Sequence, residues 1–290
     1  MLTDPWQSVL LAVGLGAART IPLTWLVPAL GGPRVSPEIR GGLGLMLAVL
    51  CLPILLPVTA AASVAPSPAL AGLASTAAAA AGPVAAGPAG AGPVNWLILF
   101  LRELLVGLTV GLCAGAAFRA AEAAGRLADI LRGANLAEVL SPTSDERTSP
   151  TGDLYLFVAV VLFLEMGGLR FLVTALARSY EAVPVGPMPQ VAAFRGAALL
   201  VTATTGKLVE SAVGLAAPVL VALWVADVAL GVVGRAAPQI PIYFAAMPAK
   251  ALLGLGVILV GIGAVDAAWT AGFPAWSALV ERAFMVWKPR

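Results

Sequence analysis

Residues Arg235 to Lys250 read RAAPQIPIYFAAMPAK and lie between two long apolar runs, Leu208 to Val233 and Ala251 to Thr270. A helix cannot continue through Pro238 and Pro241, because each removes a backbone donor and its ring collides with the preceding turn. The two arms are therefore separate helices joined by a short tip. Pro248 is expected in the first turn of the second arm, where a missing N–H is tolerated. Arg235 and Gln239 carry donors able to bond helix-end carbonyls or acidic partners at such a tip. This hairpin sets the fold class: an all-α membrane protein with about six long hydrophobic helices in hairpins.

The rest of the chain follows the same pattern. Of its 290 residues, 60% are hydrophobic and 11% charged, with a mean hydropathy of +0.96. A water-soluble domain of this length could not cover that much apolar surface. Further helix-length apolar runs span Trp6 to Pro28, Gly41 to Ala62, Trp96 to Phe118 and Leu154 to Leu176. Each is long enough to cross a bilayer. The division expected is a helical hairpin at 1–62, a flexible insert at 63–94, a long helix, polar loop and fourth helix at 95–205, a second hairpin at 206–275, and a tail at 276–290. The insert has no charge and is biased to Ala, Gly and Pro, a composition with little to pack. The first run has no Lys or Arg before Arg19, unlike the positive start of a secretory signal, and is read as a retained helix.

Composition also excludes function classes. A net charge of +2 gives no electrostatic footprint for nucleic acid. Histidine is absent, and Cys51 and Cys113 lie inside apolar runs, so no metal site and no cofactor are expected. GxSxG is missing, and Lys207 with Ser211 is an ordinary one-turn spacing, so no enzyme is expected.

Two features conflict with simple membrane spanning. Arg34, Arg40, Arg119, Arg126, Arg132 and Arg147 fall on one side of a six-span arrangement, but Arg178, Arg195, Lys207, Arg282, Lys288 and Arg290 fall on the other, against the positive-inside rule. The proline-free stretch Asn95 to Leu140 reads as one helix of roughly 65–70 Å, about twice a hydrocarbon core. Within it, Gly107, Gly111 and Gly115 at four-residue spacing offer a face for close helix contact. Arg119, Glu122, Arg126, Asp129 and Arg132 then alternate in sign at spacings of three and four, a ladder of local ion pairs. That ladder is either a solvated stripe or the wall of a wet lumen or partner interface.

Arg102, Glu103, Glu165, Arg170, Asp227 and Asp266 sit inside apolar runs, where a charge costs a few kcal/mol unless paired or wet. One reading makes Asp227 and Asp266 the titrating groups of an ion-coupled secondary transporter. The other makes these residues interhelical hydrogen bonds and salt bridges in an assembly, and it is preferred because no series of polar groups flanks either aspartate. Glu165 and Arg170 are five residues apart and point to different helix faces.

The segment from Ala217, APVLVALWVADVALGVVGRAAPQIPIYFAAMPAKALLGLGVILVG, resembles the C-terminal signature of the FliR/SctT (YscT, SpaR) family of type III secretion export-apparatus proteins. ARAAEAAGRLADILRGANLAEVLSPTSDERTSPTGDLYLFVAVVLFLEMGG and the turn RSYEAVPVG extend the resemblance over about Trp96 to Thr270. The insert and the tail ERAFMVWKPR depart from it. The resemblance implies a FliP/SctR-like part followed by a FliQ/SctS-like hairpin. It further implies a structural and gating subunit of an export channel in the bacterial inner (cytoplasmic) membrane, multi-pass, at the base of a secretion apparatus. Its partners would be FliP/SctR-like, FliQ/SctS-like, FlhB/SctU-like and FlhA/SctV-like proteins, exported proteins in transit, and membrane lipid.

Carried onto this sequence, GANLAEVLSPTSDERTSP corresponds to the family's channel-plugging loop. Leu136, Val139 and Leu140 would seal the lumen, while Pro142, Asp145, Glu146 and Arg147 would keep the loop irregular and wet. Arg235, Pro238, Gln239, Pro241, Pro248 and Lys250 would form a partner-docking tip. SPTSDERTSPTG is closer to the injectisome pattern than to the flagellar one.

Overall fold

A computed structural model describes residues 5–31, 35–53, 93–133, 149–183, 191–237, 239 and 242–288. Among them every regular element is helical: α1 Pro5–Leu26, α2 Pro28–Gly31, α3 Pro37–Leu50, α4 Pro93–Arg132, α5 Pro150–Glu165, α6 Gly168–Ala182, α7 Val191–Ala236 and α8 Ile242–Met285. The parts of α4 and α7 at Leu99–Arg132 and Ala192–Ala236 are long and apolar enough to cross a membrane, and up to four spans result if each of two bent helix pairs counts as one. The protein is a membrane protein by this criterion and by its composition.

Several helix bounds differ from those read off hydropathy, each for a local reason. α4 stops at Arg132 rather than continuing to Leu140. Gly133 adopts φ 79° and its N–H bonds Ile130 O at 3.2 Å, the left-handed glycine stop that an L side chain resists. The run Leu154 to Leu176 is two helices, because Gly167 takes φ 74° between α5 and α6. α7 begins at Val191, since Arg195 and Lys207 lower hydropathy without breaking a helix. α8 opens at Ile242, so Pro248 lies inside it and not in its first turn, where it supplies no backbone N–H to the helix ladder. Ten residues of the segment read as a tail, 276–285, belong to α8. The insert read at 63–94 lies outside the described residues up to residue 92, and Pro93 and Val94 open α4.

The chain divides into two compact units whose boundaries fall within α4, α7 and α8 and between α5 and α6. The first comprises Met1–Gly115, Gly167–Ala203 and Ser277–Arg290. Here α1 lies on α4 at backbone range: a methyl group added at Gly107 would fall on the Arg19 carbonyl, one at Gly111 on Leu26 and Pro22 O, and one at Gly115 on Leu26 O. The glycine face therefore receives α1 from Arg19 to Leu26. On the other side of α1, Thr20 donates to Gly44 O at 2.7 Å and Thr24 to Arg40 O at 3.1 Å, which fixes α3. Val106, Val183, Ala197 and Trp287 form a buried cluster, with Phe194 edge-on to Trp287 at 5.2 Å. The last described residues are thus part of a core.

The second unit comprises Ala116–Met166 and Thr204–Trp276. Its centre is aromatic: Phe118 meets Phe163 and Trp269 at 5.2 and 5.1 Å, and Phe163 meets Trp276 edge-on at 5.4 Å. Such edge and tilted pairs add to the area each ring buries. Small residues of α4, Ala120, Ala121, Ala124 and Ala128, are also buried in this unit.

Gly107→Ala is expected to destabilise the protein by about 1–3 kcal/mol, since the methyl group must push α1 away from α4. Gly14→Ala, where nothing lies within 4 Å, should be neutral or stabilising by up to about 1 kcal/mol. Thermal unfolding in detergent compares them; equal midpoints for the two variants would overturn the glycine-face crossing.

Candidate functional site

Two buried polar joints stand out, one in each unit. In the first unit α1 carries Arg19, 1% exposed, to Glu103 of α4, 0% exposed. Arg19 Nε donates to Glu103 Oε2 at 2.7 Å and Nη2 lies 2.5 Å from the same oxygen. Nη1 donates to Ser179 Oγ at 3.2 Å and Nη2 to Val183 O at 3.0 Å, at the end of α6. The guanidinium stacks 4.3 Å from the Tyr180 ring centre, and Tyr180 Oη donates to Gly16 O at 3.2 Å. Arg102 Nη1 donates to the other carboxylate oxygen, Glu103 Oε1, at 3.0 Å. One carboxylate thus lies between two cations, and one guanidinium ties α1, α4 and α6. The planar fork of arginine suits this arrangement, because its donors point in several fixed directions at once.

The second joint lies where α4 meets α5. The ladder of α4 forms the pairs its spacing predicts: Arg119 with Glu122 at 2.8 Å, Arg126 with Glu122 at 2.5 Å, and Arg132 with Asp129 at 2.5 Å. It is not a solvated stripe throughout. Arg119 and Arg126 are exposed, whereas Glu122 and Asp129 are buried. Asp129 also accepts from Ser149 Oγ at 2.5 Å, Thr151 Oγ1 at 2.5 Å and Thr151 N at 3.0 Å. Gly125 lets the helices approach, since a methyl group there would fall on Thr151 O and Gly152.

The remaining residues singled out by the sequence are scattered. Glu165 and Arg170 are exposed on different helices, and Asp266 is exposed, its backbone carbonyl accepting from Thr270 Oγ1 at 3.0 Å. Asp227 of α7 forms an ion pair with Lys250 of α8, joining a residue read as intramembrane to one read as part of the tip. Arg235 is exposed in the last turn of α7, Gln239 is an exposed turn residue, and Pro248 is exposed. Pro238 and Pro241 lie outside the described residues, as do Leu136, Val139, Leu140, Pro142, Asp145, Glu146 and Arg147. Among the described residues no group of three or more His, Cys, Asp or Glu is placed to hold a metal ion. Sequence reading missed Arg19 as a partner for Glu103, and missed Ser149 and Thr151 as partners for Asp129. The available signal was a lone cation in the apolar run of α1 and an S-P-T start to α5, but neither names the residue it will meet.

The family described as bacterial export proteins, family 1, matches residues 10–275. The secretion system apparatus protein SsaT of Salmonella typhimurium is 32% identical over 167 residues, 57% of this chain and 63% of that protein. Yop proteins translocation protein T of Yersinia pestis is 33% identical over 157 residues, 54% of this chain and 60% of the relative. Flagellar biosynthetic protein FliR of Pectobacterium carotovorum is 29% identical over 168 residues, 58% of this chain and 61% of the relative. The chain spans about three fifths of the length of these relatives.

Arg19→Met is expected to lower stability by about 3–5 kcal/mol, because Glu103 keeps its burial and loses its main counter-ion. Arg19→Lys retains the charge but not the bonds to Ser179 and Val183, and should fall between wild type and Arg19→Met. Denaturant or thermal unfolding in one detergent measures both; an Arg19→Met midpoint equal to wild type would remove the joint from any holding role.

Proposed function

Because this chain belongs to the FliR/SctT family of bacterial export proteins, we propose that it is a structural and gating subunit of a type III secretion export channel in the bacterial inner membrane. The observation that carries the reading is α7. Its 46 residues span roughly 69 Å, more than twice a hydrocarbon core of about 30 Å. Only 17% of its most apolar window is buried within the chain, against 67% for α4. Val209, Val213, Val221, Trp224, Val228 and Val232 are exposed along it. Lipid covers at most about half such a helix, so protein partners must cover the rest. The partners that fit are the FliP/SctR-like and FliQ/SctS-like subunits, with FlhB/SctU-like and FlhA/SctV-like proteins nearby and exported chains passing through.

In this reading the earlier helices act as the FliP/SctR-like part, and α7 with α8 as the FliQ/SctS-like hairpin. The tip with Arg235, Gln239 and Lys250 docks a partner. Segment 134–148 plugs the closed channel through Leu136, Val139 and Leu140. The S-P-T-S-D-E-R-T-S-P run at 141–150 favours an injectisome over a flagellum, and the relatives include a secretion system apparatus protein and a Yop proteins translocation protein by name.

Co-expression with the FliP/SctR-like and FliQ/SctS-like proteins, followed by native mass spectrometry, is expected to show this chain at low copy in a stable hetero-oligomer. A monomer or homodimer indifferent to those proteins would overturn the assignment. In the assembled complex, replacing residues 135–147 with a Gly-Ser linker of equal length should raise ion leakage; unchanged leakage would remove the plug role.

A further inference from the structure

We propose that Asp129 is a tether that holds the end of α4 to the start of α5, and so a positioning residue for the chain that connects them. The tether stands on described residues alone; its effect on leakage rests on the plug reading above.

The chemistry at the start of α5 carries the inference. Pro150 occupies the first helical position and has no N–H to satisfy. Ser149 Oγ accepts from Gly152 N at 3.1 Å and Ser149 O from Asp153 N at 2.9 Å, so the serine already caps its own helix. Thr151 N remains, and its acceptor is Asp129 Oδ2, supplied from α4. The same carboxylate also accepts the hydroxyls of Ser149 and Thr151, while Arg132 Nη2 donates both to Asp129 Oδ1 and, at 2.9 Å, to Thr151 Oγ1. Four donors therefore saturate one buried anion. Three of them come from beyond the segment and one from before it. A negative charge at the N-terminus of α5 is further favoured by the helix dipole.

A second, independent contact places the joint. Gly125, one turn before Asp129, and Gly152 meet at backbone range, and a methyl group at Gly152 would crowd Ser149 Oγ, Arg126 and Glu122 O. The last two turns of α4 and the first of α5 are mated by both packing and charge. Gly133 ends α4 immediately after Arg132, so the chain leaves and re-enters at one point. Whatever conformation residues 134–148 take, their ends are held as a pair.

The test is removal of the tether's charge in the full assembled complex. Asp129→Asn keeps the shape of the side chain but turns one acceptor oxygen into a donor group, so the donors that meet it can no longer all be satisfied. Hydrogen exchange of peptides covering residues 149–156 is expected to rise at least ten-fold, and ion leakage several-fold. Unchanged exchange would overturn the tether. Thr151→Val provides a second probe, since it keeps Asp129, Arg132 and the Ser149 cap but removes one donor to the carboxylate. It should speed the same exchange, and an unchanged rate would also overturn the proposal. If exchange responds while neither the tether variants nor the linker replacement of 135–147 alters leakage, the plug reading fails and the tether stands.

Discussion

A carboxylate removed from water must find cations and donors or give up its charge, and Glu103 meets that demand with Arg19 on one side and Arg102 on the other. Much of the first unit follows from this. Arg19 reaches Glu103 only if α1 lies close against α4, and α1 lies that close only because Gly107, Gly111 and Gly115 carry no side chains. With the guanidinium fixed, its outer nitrogens bond Ser179 and Val183 and so hold the end of α6. The glycine face and the ion pair therefore require one another. An apolar pair at the same positions would hold the helices without specifying which residue of α1 meets which residue of α4.

The second unit reaches a similar result by another route. Its core is an aromatic cluster with little polarity, and specificity comes from its edge, where Asp129 orders the junction of α4 with α5. Lys250 with Asp227 serves the same purpose between α7 and α8, in a pair that is part exposed and correspondingly weaker. In a chain with so few charges, Glu103, Asp129 and Asp227 each join one helix to another.

What the sequence disclosed follows from the range of the physics behind each signal. Helix type, the break between α7 and α8 and the ladder within α4 depend on neighbours three or four residues apart, and those were legible. So was the contact role of Gly107, Gly111 and Gly115, though not its partner. Helix ends were legible only where proline marked them. Gly133 and Gly167 stop helices by adopting positive φ, yet other glycines in this chain sit inside helices, so glycine alone gave no decision. Partners far apart in sequence, Arg19 with Glu103 or Asp129 with Thr151, were not legible, because a single chain carries no record of which helices meet. The family resemblance covered the third helix onward, and the family match extends from residue 10 to 275.

The glycines also divide the molecule into places that accept a chemical reporter and places that do not. At Gly107, Gly115 and Gly125 the neighbouring helix backbone occupies the volume of a Cβ, so a thiol or fluorophore introduced there would pry helices apart and report on its own damage. Gly206, Gly214 and Gly231 on α7 have nothing within 4 Å of that volume. Cysteines at those three positions leave the fold of the isolated chain intact, and loss of their reactivity on assembly would trace, along α7, the footprint of whatever comes to cover it.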